Sequence, residues 1–191
     1  MNEAPPTSPL AGLRELGWYR ALSALPLLAW RLGLGALVGR LFMVLTVRGR
    51  RSRRDRRLMI TYLRVDGVDH AAAIYGARSQ WLRNLAADPR CGVQTGRDRY
   101  AATARRITDG DEVVAWRRRL GWRGRLLFGA YLRMPGVAGD DAALRRHAAD
   151  LVLVAFTRAA GPAPAPLRAD LAWIWLPVLL GLVAWRARRR G

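Results

Sequence analysis

The sequence predicts a mainly β fold, a small barrel with appended helices, and three features carry that prediction. Runs rich in β-branched and aromatic residues recur between residues 41 and 158, separated by turn signals. The helical stretches among them, one short and one longer, are too few for a repeating βαβ unit. No GxGxxG or Walker pattern is present to favour a parallel α/β sheet.

Residues 1–12, MNEAPPTSPLAG, are Pro-rich and polar and read as a disordered leader without the basic start and apolar core of a signal peptide. Residues 13–40 turn apolar, but Arg20, Arg31 and Arg40 interrupt them too often for about 20 uncharged residues. They read as one helix, or two around Pro26, covering the domain or lying on a membrane surface, with a span as the alternative. Residues 41–158 form the barrel domain. Its first strands are LFMVLTV at Leu41–Val47, LMITYLRV at Leu58–Val65 and HAAAIY at His70–Tyr75, the last two joined by an Asp66-Gly67 turn. Ser79 is placed to cap a short helix carrying Trp81, Leu82 and Leu85, which must end before Pro89. CGVQTG and RYAATARRI follow as a hairpin around Gly96 to Arg99, Asp109–Leu132 reads mostly as helix, and LVLVAFTR at Leu151–Arg158 suits a final buried strand. Residues 159–170 are a linker opening with AAGPAPAP, whose Pro/Ala composition makes it extended and semi-rigid. Residues 171–191 are a hydrophobic tail with a basic end. Leu171–Trp185 carries no charge and is followed by RARRR. As a helix this run spans about 22 Å against a hydrocarbon core of about 30 Å. Trp173, Trp175 and Trp185 nevertheless suit the membrane interfaces, so attachment through 171–185, as a transmembrane helix or in the interface, is expected.

A chain of 191 residues suffices for one domain of ordinary size. The net charge of +19 points to an anionic partner, but all the basic residues are arginine and lysine is absent, as a strongly GC-biased genome would produce. The single cysteine, Cys91, excludes an internal disulfide and a cysteine metal cluster, and His70 and His147 stand alone. No metal site is expected, and no catalytic residue can be named.

The densest chemical signal is RGRRSRRDRR at residues 48–57, seven arginines against one aspartate between two strands. Gly49 permits a tight turn, and backbone N–H groups, the Ser52 hydroxyl and guanidinium forks together suit phosphate or carboxylate oxygens. A solvated basic loop facing anionic lipid is the alternative.

Two separated motifs, with strands between them, resemble the deazaflavin-dependent nitroreductase family. Gly49, Arg50, Arg51 and Ser52 match that family's GRKSG-like loop, with Arg51 in place of Lys, and Arg56 and Arg57 match the arginine pair after it. Gly76, Arg78, Ser79, Trp81, Arg83, Asn84, Leu85, Asp88 and Pro89 match its GxxSDWYRNLRADP-like segment, and Val93, Gln94 and Gly96 the strand that follows. The resemblance covers roughly residues 41–158. It implies a split β-barrel, related to FMN-binding barrels, in which Arg50, Arg51, Ser52, Arg56 and Arg57 hold the phosphate and glutamate tail of coenzyme F420. It places Gly76, Arg78, Ser79, Trp81 and Asn84 near the deazaflavin ring, with FMN as the alternative cofactor. Three departures stand out: Arg53 replaces the glycine after the serine, Asp55 and Met59 replace smaller residues, and Leu82 replaces an aromatic that would flank the ring.

The activity implied is hydride transfer from reduced F420 to a hydrophobic acceptor such as a quinone or nitroaromatic. Trp81 is the candidate for packing at the ring, with plain core as its alternative; Tyr75 and Tyr100 could supply a hydroxyl. A second reading is a non-catalytic, membrane-associated module that binds the coenzyme or another polyanion. Nucleic-acid binding, with Trp116 and Trp122 as stacking surfaces, ranks third. A homodimer is compatible with either of the first two. The expected location is the membrane with the barrel on the cytoplasmic side, although the arginines at 186–190 alone would draw the C-terminus to that side.

Overall fold

The strands of residues 42–158 pair antiparallel into one curled sheet whose central members are buried on both faces. The computed structural model describes residues 25–189 apart from residues 74, 75, 77, 78, 97, 134, 135 and 164. The expected leader, the start of the N-terminal segment, Tyr75 and Arg78 therefore lie outside the described residues.

The strands are β1 (Phe42–Arg48), β2 (Asp55–Thr61), β3 (Leu63–Val65), β4 (Val68–Ala72), β5 (Arg90–Gln94), β6 (Arg99–Ile107) and β7 (Leu153–Arg158), in the order β2-β1-β5-β6-β7-β4-β3. The two end strands of that order are joined in sequence by Tyr62 alone. In a flat sheet six inter-strand steps of about 4.8 Å would hold them roughly 29 Å apart, whereas the step from Thr61 to Leu63 covers at most about 7 Å. The sheet must therefore curl until both ends share one bent strand. The sequence predicted Leu58–Val65 as a single strand; the structure breaks it at Tyr62, where the strand passes from one end of the sheet to the other.

Met43, Leu45 and Val47 of β1, Val93 of β5, Tyr100 and Ala102 of β6, and Val154 and Phe156 of β7 fill the interior. Strand β7 is buried on both faces: Leu153 and Ala155 point outward into a second core with Val113, Trp116, Phe128 and Leu144. That second core is supplied by α2 (Gly110–Arg118), α3 (Trp122–Arg133) and α4 (Asp141–His147). The predicted long helix from Asp109 to Leu132 is thus two helices, parted before Trp122, and α4 went unpredicted because only Ala143 and Leu144 of its seven residues are buried. Asp109 and Asp140 cap α2 and α4 by accepting from the backbone N–H groups of Asp111 and Ala143.

Helix α1 (Gln80–Ala87) inserts Trp81 and Leu85 into the barrel core and ends at Asp88, before Pro89 as expected. The turn at Asp66-Gly67 has both φ angles positive, 50° and 78°, the primed hairpin geometry that Asp-Gly predicts.

Helical turns at Trp30–Leu34 and Gly35–Val38 precede β1, with a kink at Gly33 (φ 89°). Gly39 then passes so close to the β5–β6 turn that a Cβ there would lie 2.3 Å from the Gly96 nitrogen. Its carbonyl accepts from Gly96 N (3.2 Å) and Tyr62 Oη (2.9 Å), which fastens the segment to the barrel and explains why both positions are glycine.

After β7 the linker runs back over β2 and β5. Arg57 donates to the Ala165 carbonyl at 3.0 Å, and the Gln94 amide exchanges two hydrogen bonds with the Leu167 backbone. The chain ends in a 3-10 turn at Ala172–Ile174 and helix α5 (Trp175–Arg188). The hydrophobic helix is present, but the transmembrane expectation fails: no helix among the described residues is long and apolar enough to cross a membrane.

Candidate functional site

The β1–β2 hairpin carries the arginine run to the end of the barrel where α1 begins. Its turn is closed by Gly49 N donating to Arg54 O (2.9 Å) and Arg53 N donating to Gly49 O (2.8 Å). A Cβ on Gly49 would stand 2.7 Å from Ser52 Oγ, so a larger residue there would require the serine hydroxyl to move.

Arg53 adopts φ 54°, the left-handed conformation that its replaced glycine would enter freely. The turn is therefore kept, and the strain is carried by an exposed arginine. Arg53→Gly is expected to stabilise the fold by about 0.5–1 kcal/mol in urea unfolding, because relief of strain outweighs the extra freedom of the unfolded chain. Unchanged or lowered stability would show that this residue is not strained.

Arg50 is spoken for. Its backbone N–H and its Nη1 both donate to Asn84 Oδ1, at 3.3 and 3.1 Å, and Nη1 also donates to Gln80 Oε1 at 3.0 Å. Arg50 thus pins the hairpin to one face of α1, and Gln80, which sequence reasoning missed, is part of that pin. Its i, i+4 spacing from Asn84 was the available signal. Asp88 closes the helix while accepting from Arg90, whose hydrogen bonds hold its carboxyl below the usual carboxylate range.

Arg51, Arg53, Arg54 and Arg56 are exposed, and their guanidinium groups have no carboxylate or other acceptor among the described residues. Many acids of the fold are committed elsewhere, Asp66 to Arg119, Asp98 to Arg64 and Arg158, Asp111 to Arg145, Glu112 to Arg105, and Asp141 to Arg117 and Arg118, while Asp55 stands on the hairpin opposite Arg48. Positive charge is left concentrated on the hairpin by that allocation. Arg57 alternates to the other side of β2 and donates to the linker carbonyl, which sets it apart from Arg51 and Arg56.

Ser79 precedes α1 with φ −57° and ψ 130° but makes no capping bond, and its buried Oγ has no hydrogen-bond partner among the described residues. Gly76 has φ 60° and open space where a Cβ would be. An orphaned hydroxyl, an open glycine and unpaired guanidinium groups at one barrel end fit an anionic group with hydrogen-bonding capacity.

Other predicted residues are committed to the cores of the fold. Trp81 is 9% exposed and packs in the barrel interior, which is the plain core reading. Tyr100 gives its hydroxyl to the buried Asp69 at 2.6 Å and is held in its neutral form by burial, so it is no proton donor for a substrate. His70 is a core residue kept neutral by burial and tilted against Trp116. Trp116 lies edge-on to Phe128 in the helical core, which removes it as a stacking surface for nucleic acid. Leu82 lies off the Gln80/Asn84 face of α1, half-buried against the barrel core. It lines an apolar cavity of about 300 Å³ with Arg83, Ala86, Ala104, Arg106 and Val152.

Cys91 is mostly buried, donates to Ala102 O at 3.5 Å, and has its thiol pushed up to about 12 by burial. Near neutral pH it should therefore carry about a thousandfold less thiolate than a free cysteine and resist iodoacetamide until the protein unfolds. Prompt alkylation of the folded chain would contradict this placement.

The sheet and the hairpin together define a curled antiparallel barrel with a strongly cationic end. Residues 31–123 match the family described as F420H(2)-dependent quinone reductase, so the resemblance to deazaflavin-dependent reductases is shown over the segment that holds both motifs. No curated protein sequence matches the chain. Among solved structures it is similar to an F420-H2 dependent reductase (FDR-A) at 20% identity, covering 61% of this chain and 93% of that one with a TM-score of 0.44. It is also similar to a putative pyridoxamine 5'-phosphate oxidase from Listeria innocua, at 13% identity, 66% and 90% coverage and a TM-score of 0.43. A third is HutZ, a heme storage protein from Vibrio cholerae, at 11% identity, 64% and 84% coverage and a TM-score of 0.43. Likenesses this distant carry no functional argument.

Proposed function

We propose that this chain is an F420-dependent oxidoreductase that passes a hydride from the reduced coenzyme to a hydrophobic acceptor of the quinone or nitroaromatic class. The observation that carries the reading is the set of unpaired guanidinium groups on the hairpin, lying within the segment that matches the F420H(2)-dependent quinone reductase family.

Arg51 and Arg56, with the Ser52 hydroxyl, are assigned to the phosphate and glutamate oxygens of the coenzyme. Arg50 and Asn84 act one step back by fixing the hairpin on α1. Gly76 leaves room for a close approach, and Ser79 offers its unpartnered hydroxyl to a polar ring atom. Arg78 lies outside the described residues and keeps its motif-based assignment to the same ring. When bound, F420 supplies the hydride; the chain's task is to orient the ring and keep water from it. An anionic cytosolic coenzyme places the hairpin on the cytoplasmic side.

One observation favours the non-catalytic alternative. The residue in the family's aromatic position, Leu82, faces a cavity on a different side of α1 from the hairpin, so no aromatic from that position flanks the ring. Fluorescence titration with F420 and with FMN, followed by oxidation of reduced F420 with a soluble quinone, tests both readings. Saturable F420 binding with turnover supports the reductase, binding without turnover supports the alternative, and no binding, or a preference for FMN, overturns the assignment of F420.

A further inference from the structure

Two apolar segments distant in sequence meet at the barrel end opposite the arginine hairpin. Arg31 pairs side-on with Asp170 through one guanidinium edge, Nε donating to Oδ1 at 2.8 Å and Nη2 to Oδ2 at 2.7 Å. Trp175 Nε1 donates to Leu32 O at 2.7 Å, and Leu171 N donates to Arg31 O at 2.9 Å. These bonds join the N-terminal helical segment and the tail into one unit around the buried Trp30, yet many of its large apolar side chains stay in water. Leu37 is 62% exposed, Trp173 67%, Leu176 64% and Leu180 62%. Every side chain described in α5 is exposed, although the helix carries no charge from Trp175 to Trp185.

A face of this kind needs an apolar partner. At 14 residues α5 is about 21 Å long, too short to cross a hydrocarbon core of about 30 Å. Its ends carry tryptophans, and Arg40, Arg186 and Arg189 rim the unit, with the Arg189 guanidinium 3.9 Å from the centre of the Trp185 ring. In a two-fold dimer the same patch would meet itself and set these cationic rims against each other. Lipid phosphates would neutralise them instead.

We propose that the segment from Leu25 to Leu41 and helix α5 together form a two-part membrane seat, which lies in one leaflet of an anionic bilayer without crossing it. Tryptophans at both ends of α5 hold it at headgroup depth while Leu176, Leu179 and Leu180 enter the acyl boundary. The arginine hairpin, at the other barrel end, then faces away from the lipid and stays open to a soluble anion. The proposal does not rest on the identity of that anion, and its test uses no coenzyme.

Flotation of the full chain with vesicles of phosphatidylcholine, alone or mixed with phosphatidylglycerol, tests it. Binding should need the anionic lipid and weaken with salt. Leu176→Glu with Leu180→Glu should lower partitioning roughly a hundredfold, because two leucines lose their burial. Trp122→Ser with Leu126→Ser, on the exposed face of α3, should leave it unchanged, and thermal unfolding of both variants checks that they fold. A C-terminal epitope should stay open to protease added on the protein's side of bound vesicles. Binding that survives the glutamate pair, equal binding to uncharged vesicles, an epitope protected by the bilayer, or a concentration-dependent dimer that ignores vesicles would each overturn the proposal.

Discussion

Asp69→Ala is expected to lower the unfolding free energy by about 3 kcal/mol. The Asp69 side chain is fully buried, and it accepts from Arg64 Nε at 2.7 Å, Arg64 Nη2 at 2.9 Å and Tyr100 Oη at 2.6 Å. Arg64 also reaches Asp98, which Arg158 shares, and Arg158 lies 4.1 Å over the Tyr100 ring. The network therefore ties β3 and β4 to β6, β7 and the β5–β6 turn. Loss of the carboxylate strands a buried hydroxyl, and this dominates the expected cost. The Arg64 side chain is 36% exposed, so water takes up part of its loss. Asp69→Asn should cost less, since it keeps an acceptor. Urea unfolding checks both variants, and a loss below about 1 kcal/mol for alanine would mean that the network does not hold the barrel together.

Arg51→Ala with Arg56→Ala should weaken F420 binding about a hundredfold. Two charge-assisted contacts at an exposed site account for roughly 3 kcal/mol together. The affinity should also fall steeply with salt, and the slope should be shallower in the double variant. Arg119→Ala serves as the control, because that arginine is paired with Asp66 at the surface and touches no part of the hairpin. If Arg119→Ala weakens binding as much, the effect belongs to the net charge of +19 and not to the hairpin. Arg50→Ala should act differently. It releases the hairpin from Gln80 and Asn84, so it should raise protease cleavage within residues 49–54 as well as weaken binding.

The strands were legible because each carries its own signal. Asp66-Gly67 predicted its turn, Ser79 and Pro89 bracketed α1, and the apolar run before Arg158 marked β7. The bend at Tyr62 was not legible, since nothing local distinguishes a continuous strand from one that changes its partners. Nor was the division of labour among the arginines. Arg50, Arg51 and Arg57 look alike in sequence, but their fates depend on Asn84 and Gln80, on open solvent, and on the Ala165 carbonyl. Trp81 and Tyr100 were similarly ambiguous, because an aromatic reads the same in sequence whether it meets a ligand or a core.

By itself the sequence determined the β-rich class, the arginine-bearing turn at Gly49, the concentration of cationic charge at residues 48–57 and the family resemblance. Each of these follows from residue type, local conformational preference or short spacing. Only the tertiary structure decided which arginines remain unpaired, that Ser79 lacks a partner, and that residues 25–41 join the tail at the far end of the barrel. Those outcomes depend on contacts such as Arg50–Asn84 and Arg31–Asp170, 34 and 139 residues apart in the chain, which form only when the curled sheet brings distant segments together.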